Sequence, residues 1–163
     1  MRWSSLLALS LLLAGCPSDP DPVDDDDTID EHEAQTTACD LAEGEATPVV
    51  ASTGLDPDAE SAMAIDGGPY LLDLVDGDHS WVSFDVGADD NEVIVFLGAP
   101  GVVENFWETD HVHTGGNPVP NPDCPDLIPE QHRLETHAGK WWVEIGVLVV
   151  DELWIHVGTG AAE

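Results

Sequence analysis

The chain is 163 residues long and sets 34 acidic residues against 3 Lys and Arg, a formal net charge of −31 with neutral histidines. That balance excludes nucleic acid as a partner, because affinity for a polyanion depends on lysines and arginines that displace its counterions. It favours cations or cationic partners, and strong like charge also keeps a protein dispersed.

The amino terminus is an address. "MRWSS" carries one positive charge, at Arg2, and "LLALSLLLA" is an apolar run of nine residues, where a membrane-spanning helix needs about 20. A charged start, a short apolar core and small residues at a cut point describe an export signal. Residues 12–16, "LLAGC", resemble the lipobox of bacterial lipoproteins, with Leu13, Ala14 and Gly15 preceding Cys16. The resemblance implies that residues 1–15 are removed as a lipoprotein signal peptide. It further implies that the Cys16 thiol receives a diacylglycerol and that the new amino terminus takes an acyl chain such as palmitate. Each buried methylene contributes about 0.8 kcal/mol, so two or three chains anchor the protein firmly to a membrane of the bacterial cell envelope. Pro17 and Ser18 follow the cysteine with no Asp, which by resemblance to the sorting rule of enteric bacteria favours the outer membrane.

Residues 16–38 read as a spacer. Nine acids fall between Asp19 and Glu33, among prolines and few large apolar residues. Such a segment buries too little surface to offset its ordering entropy, so it is expected to be disordered. Its like charges and prolines extend it and hold the following domain away from the membrane.

Residues 39–163 are long enough for one domain with its own core, and the patterns in it are those of strands. "TPVVAST" and "PYLLDLV" are short apolar runs. "HSWVSFDV" alternates, with Val82, Phe84 and Val86 on one face and Trp81, Ser83 and Asp85 on the other, the period of a sheet with one face in the core. "EVIVFLG" is apolar throughout, as a central strand would be. "KWWVEIGVLVV" and "ELWIHVG" close the chain, with Leu153, Ile155 and Val157 on one face, and "VLVVDELWIHV" reads as a hairpin turning near Asp151. Gly- and Asp-rich turns separate these runs, so the expected fold is all-β: an antiparallel β-sandwich, jelly-roll-like. Once the lipobox takes Cys16, Cys39 and Cys124 remain as an even pair in an exported chain, which predicts a disulfide.

Residues 68–158 also resemble the β-sandwich of pre-peptidase C-terminal-type domains and related jelly rolls of exported bacterial proteins. The segments that carry the resemblance are "GDHSWVSFDVGADDNEVIVFLG", "HAGKWWVEIG" and "DELWIHV". It implies a binding or accessory module. In the middle, where the family has an acidic strand with closely spaced aspartates, this chain has "GVVENFWETDHVHTGGNPVPNPDC" instead, so the family's calcium role does not carry over.

That departing stretch holds the candidate metal site. His111 and His113 stand two apart, a spacing that puts two side chains on one face of a strand, and Asp110, His132 and His137 are the candidate companions, with Glu108 and His156 beyond them. Zinc takes four ligands, or three and a water, and copper accepts the same imidazole and carboxylate set. Calcium is the alternative ion, through the acid clusters Asp56, Asp58, Glu60; Asp73, Asp76, Asp78; and Asp89, Asp90, Asn91, Glu92, although Asp is also a common turn residue. Trp81, Trp107, Trp141, Trp142 and Trp154 divide between core and a sugar- or peptide-stacking face, and adjacent Trp141 and Trp142 must point to opposite faces. No "GxSxG" elbow, "HExxH" or glycine-rich phosphate loop is present. The sequence therefore predicts a lipid-anchored envelope protein with a non-catalytic binding or structural domain and no assigned cofactor. Its expected partners are the membrane through the anchor, and a cation, a carbohydrate or another envelope protein. The second reading is a lipoprotein that binds Zn, Cu or Ca through the His111/His113 loop.

Overall fold

The computed structural model describes residues 27–55, 62–88, 92–109, 111–113, 117–146 and 151–160. The export signal, Cys16, Asp56, Asp58, Glu60, Asp89, Asp90, Asn91, Asp110 and the run 147–150 lie outside the described residues. One helix, α1 (Asp27–Ala42), precedes ten strands: β1 (Thr47–Val50), β2 (Ala62–Met63), β3 (Tyr70–Asp73), β4 (Ser80–Val86), β5 (Glu92–Leu97), β6 (Val103–Glu108), β7 (His111–His113), β8 (Glu130–Glu135), β9 (Gly139–Ile145) and β10 (Glu152–Thr159), all counted among the described residues.

The strands form two sheets, ordered β1-β3-β10-β5-β8 (sheet A) and β2-β4-β9-β6-β7 (sheet B). Leaving out β1 and β2, consecutive strands from β3 to β6 alternate between sheets, and the orders 3-10-5-8 and 4-9-6-7 are those of a jelly roll. The expected all-β sandwich is therefore the fold. It is not antiparallel throughout: β1 pairs with β3, and β2 with β4, in parallel at the sheet edges.

Alternation builds the core. Val82, Phe84 and Val86 of β4 and Trp141, Val143 and Ile145 of β9 face inward from sheet B. Val93, Val95 and Leu97 of β5 and Leu153, Ile155 and Val157 of β10 meet them from sheet A. Each such side chain removed from water contributes about 1.5–3 kcal/mol, which is why the register is firm: a one-residue slip would turn every one of them outward. The hairpin expected over "VLVVDELWIHV" falls partly on residues 147–150, outside the described residues. β10 lies between β3 and β5 in sheet A, whereas β9 belongs to sheet B, so the chain crosses between sheets after Ile145.

The spacer expected up to residue 38 ends earlier, because the chain is helical from Asp27. Ala34, Ala38 and Ala42, four residues apart, lay a narrow apolar stripe against Ile94, Phe96 and Trp154 on the outer face of sheet A and against Ile128 of the loop before β8. The Cys39–Cys124 disulfide, with a Cα–Cα distance of 5.9 Å, fastens the helix to the loop before β8. Asn121 Nδ2 donates to the Gln35 carbonyl at 3.0 Å and Thr36 Oγ1 donates to Asp123 at 3.0 Å. A covalent staple and these bonds supply the order that the acid-rich sequence alone does not.

Candidate functional site

The predicted histidine site is only partly assembled. His111 and His113 form β7 with Val112 between them, paired to Glu108 and Phe106 of β6. His113 packs against the Trp141 ring, centroids 4.8 Å apart. Its Nε2 lies 3.4 Å from Glu108 Oε2, and His137 Nδ1 lies 3.9 Å from the same oxygen. One carboxylate oxygen thus lies near both imidazoles, but the three side chains do not gather their ligand atoms closely enough to share an ion. His111 is exposed.

His132 is held elsewhere, inside the sandwich. Its Nε2 is 2.7 Å from Glu130 Oε1, and both side chains are almost fully buried. The Phe106 ring lies edge-on to the imidazole at 5.2 Å. Glu130 Oε2 accepts the Gly101 N–H and, at 3.3 Å, the Val102 N–H. Burial pushes the Glu130 carboxyl up, but the His132 hydrogen bond and the Gly101 N–H outweigh it and hold it below its ordinary range. Because Gly101 and Val102 lead into β6, this buried pair joins sheet A to sheet B.

The calcium clusters gather no site among the described residues. Asp76 and Asp78 line a small recess with Ser80 and Asp151, and Glu92 pairs with Arg133 at 2.6 Å. The tryptophans divide as alternation requires: Trp141 is fully buried in the core, and Trp142 is on the opposite face of β9.

A concavity among the described residues involves a residue that the sequence places on the outward face of its strand. A cleft of about 320 Å³ lies between α1 and β10, lined by Glu33, Ala34, Thr37, Asp66, His156, Gly158 and Thr159. His156 is only 3 % exposed, because α1 roofs the face it occupies. Its Nδ1 is 3.1 Å from the Gly68 carbonyl. A carbonyl only accepts, so Nδ1 carries the proton and Nε2 presents a lone pair. Burial lowers the His156 pKa, more than the Gly68 carbonyl and the Asp66 charge raise it, so the ring stays neutral in the folded protein. Asp66 has φ of 54°, in the left-handed region that Asp tolerates better than most residues. It is locked there by its own N–H donating to the Val157 carbonyl, and by the Thr159 N–H and hydroxyl donating to its carboxylate at 3.1 and 2.8 Å.

Gly158 keeps the space between them open. A Cβ there would lie 3.4 Å from His156 Nε2, 3.5 Å from Asp66 Oδ1 and 3.6 Å from the Phe96 ring. Two acceptors therefore converge on one point of the cleft, with the buried Phe96 ring beneath it and Glu33 at the helix side. No single motif encodes this. The signal in the sequence was the polar side of "ELWIHVG", with His156 and Gly158 two apart on the same strand face as Trp154. No family model matches the chain, and no curated protein matches it in sequence.

Proposed function

We propose that this protein is a lipid-anchored component of the bacterial cell envelope whose β-sandwich binds a small organic amine in the α1–β10 cleft without transforming it. The carrying observation is the convergence of the His156 Nε2 lone pair and the Asp66 carboxylate on one open point of a cleft of about 320 Å³, within the size range of small-molecule sites. Both groups accept hydrogen bonds, so the ligand must donate them. A neutral imidazole does not repel a cation, and Glu33 and the overall charge of −31 attract one. A sugar fits less well, since the cleft lining has no tryptophan, tyrosine or phenylalanine on which a ring could stack.

The anchor rests on the lipobox-like "LLAGC", and the Cys39–Cys124 disulfide supports an exported, oxidising setting. Putrescine is the probe for the cleft. It is expected to shift the amide and imidazole NMR signals of Asp66 and His156 and to be recovered unchanged. Gly158→Ala, whose added methyl makes only ordinary contacts, should keep the fold and weaken binding at least tenfold. Undiminished binding in that variant, or no response of His156 and Asp66 to the amine, would remove the cleft from consideration.

A further inference from the structure

The opposite outer face, on sheet B, holds a second constellation. His79 precedes β4, Glu104 lies on β6 and Glu144 on β9. His79 Nδ1 is 3.0 Å from Glu144 Oε1 and 3.5 Å from Glu104 Oε2. One ligand atom from each of the three residues lies within 4.8 Å of the others, a grouping found nowhere else among the described residues.

Three features of the backbone and its surroundings make this more than a chance meeting of acids. First, the register between β6 and β9 shifts between Val103 and Asn105, so that Val103 faces Ile145 while Asn105 faces Glu144. Glu104 is the extra residue of a β-bulge, a device that re-aims a side chain. It brings Glu104 and Asn105, adjacent in sequence, to the same glutamate. Second, Gly146 clears the space for Glu104: a Cβ there would lie 2.8 Å from Glu104 Oε1. Third, Glu144 Oε2 accepts from Asn105 Nδ2 at 2.7 Å and from Trp107 Nε1 at 3.0 Å. Those donors fix the carboxylate and leave Oε1 toward His79, as outer partners do for metal-ligating carboxylates.

The charge around the trio is unbalanced. Beyond Arg2, the sequence has only Arg133 and Lys140 as permanent cations. Arg133 pairs with Glu92 and Lys140 with Asp85 at 3.2 Å, so two neighbouring carboxylates share a single imidazole.

We infer that His79, Glu104 and Glu144 form a binding site for a divalent transition-metal ion, open to solvent for its remaining ligands. One imidazole nitrogen and two carboxylates are a ligand set for zinc or manganese rather than for copper(I) or for an all-oxygen calcium cage. His79 and Glu104 are partly exposed and Glu144 is mostly buried, so an ion can enter and water can complete its shell. In the bound state His79 is a neutral imidazole with its single proton on Nε2, so that the Nδ1 lone pair goes to the metal while the two carboxylates neutralise the ion's charge.

The test uses the purified whole protein, stripped with chelator and titrated with zinc by calorimetry. One zinc per chain is expected, with affinity falling at least tenfold in His79→Ala and in Glu104→Gln, both changes at accessible positions that leave the core intact. The His111→Ala/His113→Ala double variant should bind as the unaltered protein does. Failure to bind zinc, binding unchanged in His79→Ala and Glu104→Gln, or binding lost only in the His111→Ala/His113→Ala variant would each overturn the assignment. Tighter binding of calcium than of zinc would overturn the choice of ion.

Discussion

On the outer face of sheet A, Ile94, Phe96 and Trp154 lie under a helix that a disulfide and several hydrogen bonds hold in place. On the outer face of sheet B, Trp81, Trp107 and Trp142 lie beside Asn105 and Glu144, with the Trp81 and Trp107 rings 5.7 Å apart. There the Trp107 indole N–H and the Asn105 amide turn to a carboxylate. Both faces are the backs of sheets whose fronts make one core. The first is closed by a separate element and keeps a cleft at the seam. The second is finished by its own side chains and keeps a polar cluster at the rim. A sandwich has two backs, and how each is covered decides what kind of ligand it can take: an organic molecule needs a wall to lie against, whereas an ion needs only converging oxygens and nitrogens.

The largest effect should come from removing the clamp that makes the difference. The disulfide spans 85 residues, for which the loop-entropy model gives about 4–5 kcal/mol. Cys39→Ser/Cys124→Ser is therefore expected to lower the unfolding free energy in urea by at most roughly 4–5 kcal/mol. Hydrogen exchange should rise first in α1 and then in β5 and β10, with β4 and β9 retaining their protection. Equal loss on both sheets would show that the two backs are not independent.

The buried Glu130–His132 pair is the opposite case, because it ties the sheets together. Glu130→Gln keeps the volume and a carbonyl acceptor for Gly101 but removes the charge from a buried bond, worth about 2–3 kcal/mol. The expected outcome is a single transition at lower urea, with protection falling in β8 and in β6 together. A loss confined to β8 would mean that the pair does not couple the sheets.

Acid should separate the faces with a smaller effect. Burial holds the folded His156 pKa below its ordinary value of 6.5, so stability on the sheet A side is complete above that pH and is lost as pH falls from 6.5 through the lower folded value. Burial raises the Glu144 carboxyl, but bonds from Asn105, Trp107 and His79 outweigh it and leave its pKa below 4.5. Its contribution is present above pH 4.5 and is lost only as pH falls further, through the folded value. Thermal unfolding followed against pH should fall in two steps, and His156→Gln should abolish the upper one alone.

Much of the fold was legible because it depends on period-two alternation within short segments. Val82, Phe84 and Val86 point where their spacing says, and so do Leu153, Ile155 and Val157. The burial of Trp81, Ser83 and His156 on the other faces was not legible, because what covers a sheet's back arrives from distant sequence. Helix α1 is the clearest example: alanines four apart are a faint signal among acids, and their order depends on a cysteine 85 residues away. The paired cysteines were readable because the count left only one pairing. The histidine reading began from local spacing, but His79, Glu104 and Glu144 come together through a bulge and a sheet crossing. The cleft likewise depends on a turn at Asp66 meeting the last strand.

The staple also sets the path of mechanical load. A pull arriving from the amino terminus travels along α1 and stops at Cys39, where the covalent link passes it to Cys124. Strands β1 to β7 lie inside the loop that this link closes and are bypassed by the load, whereas β8 to β10 follow Cys124. Glu33, Ala34 and Thr37 lie ahead of it and form one wall of the cleft. Tension applied ahead of Cys39 would therefore act on that wall of the cleft before it reached any strand.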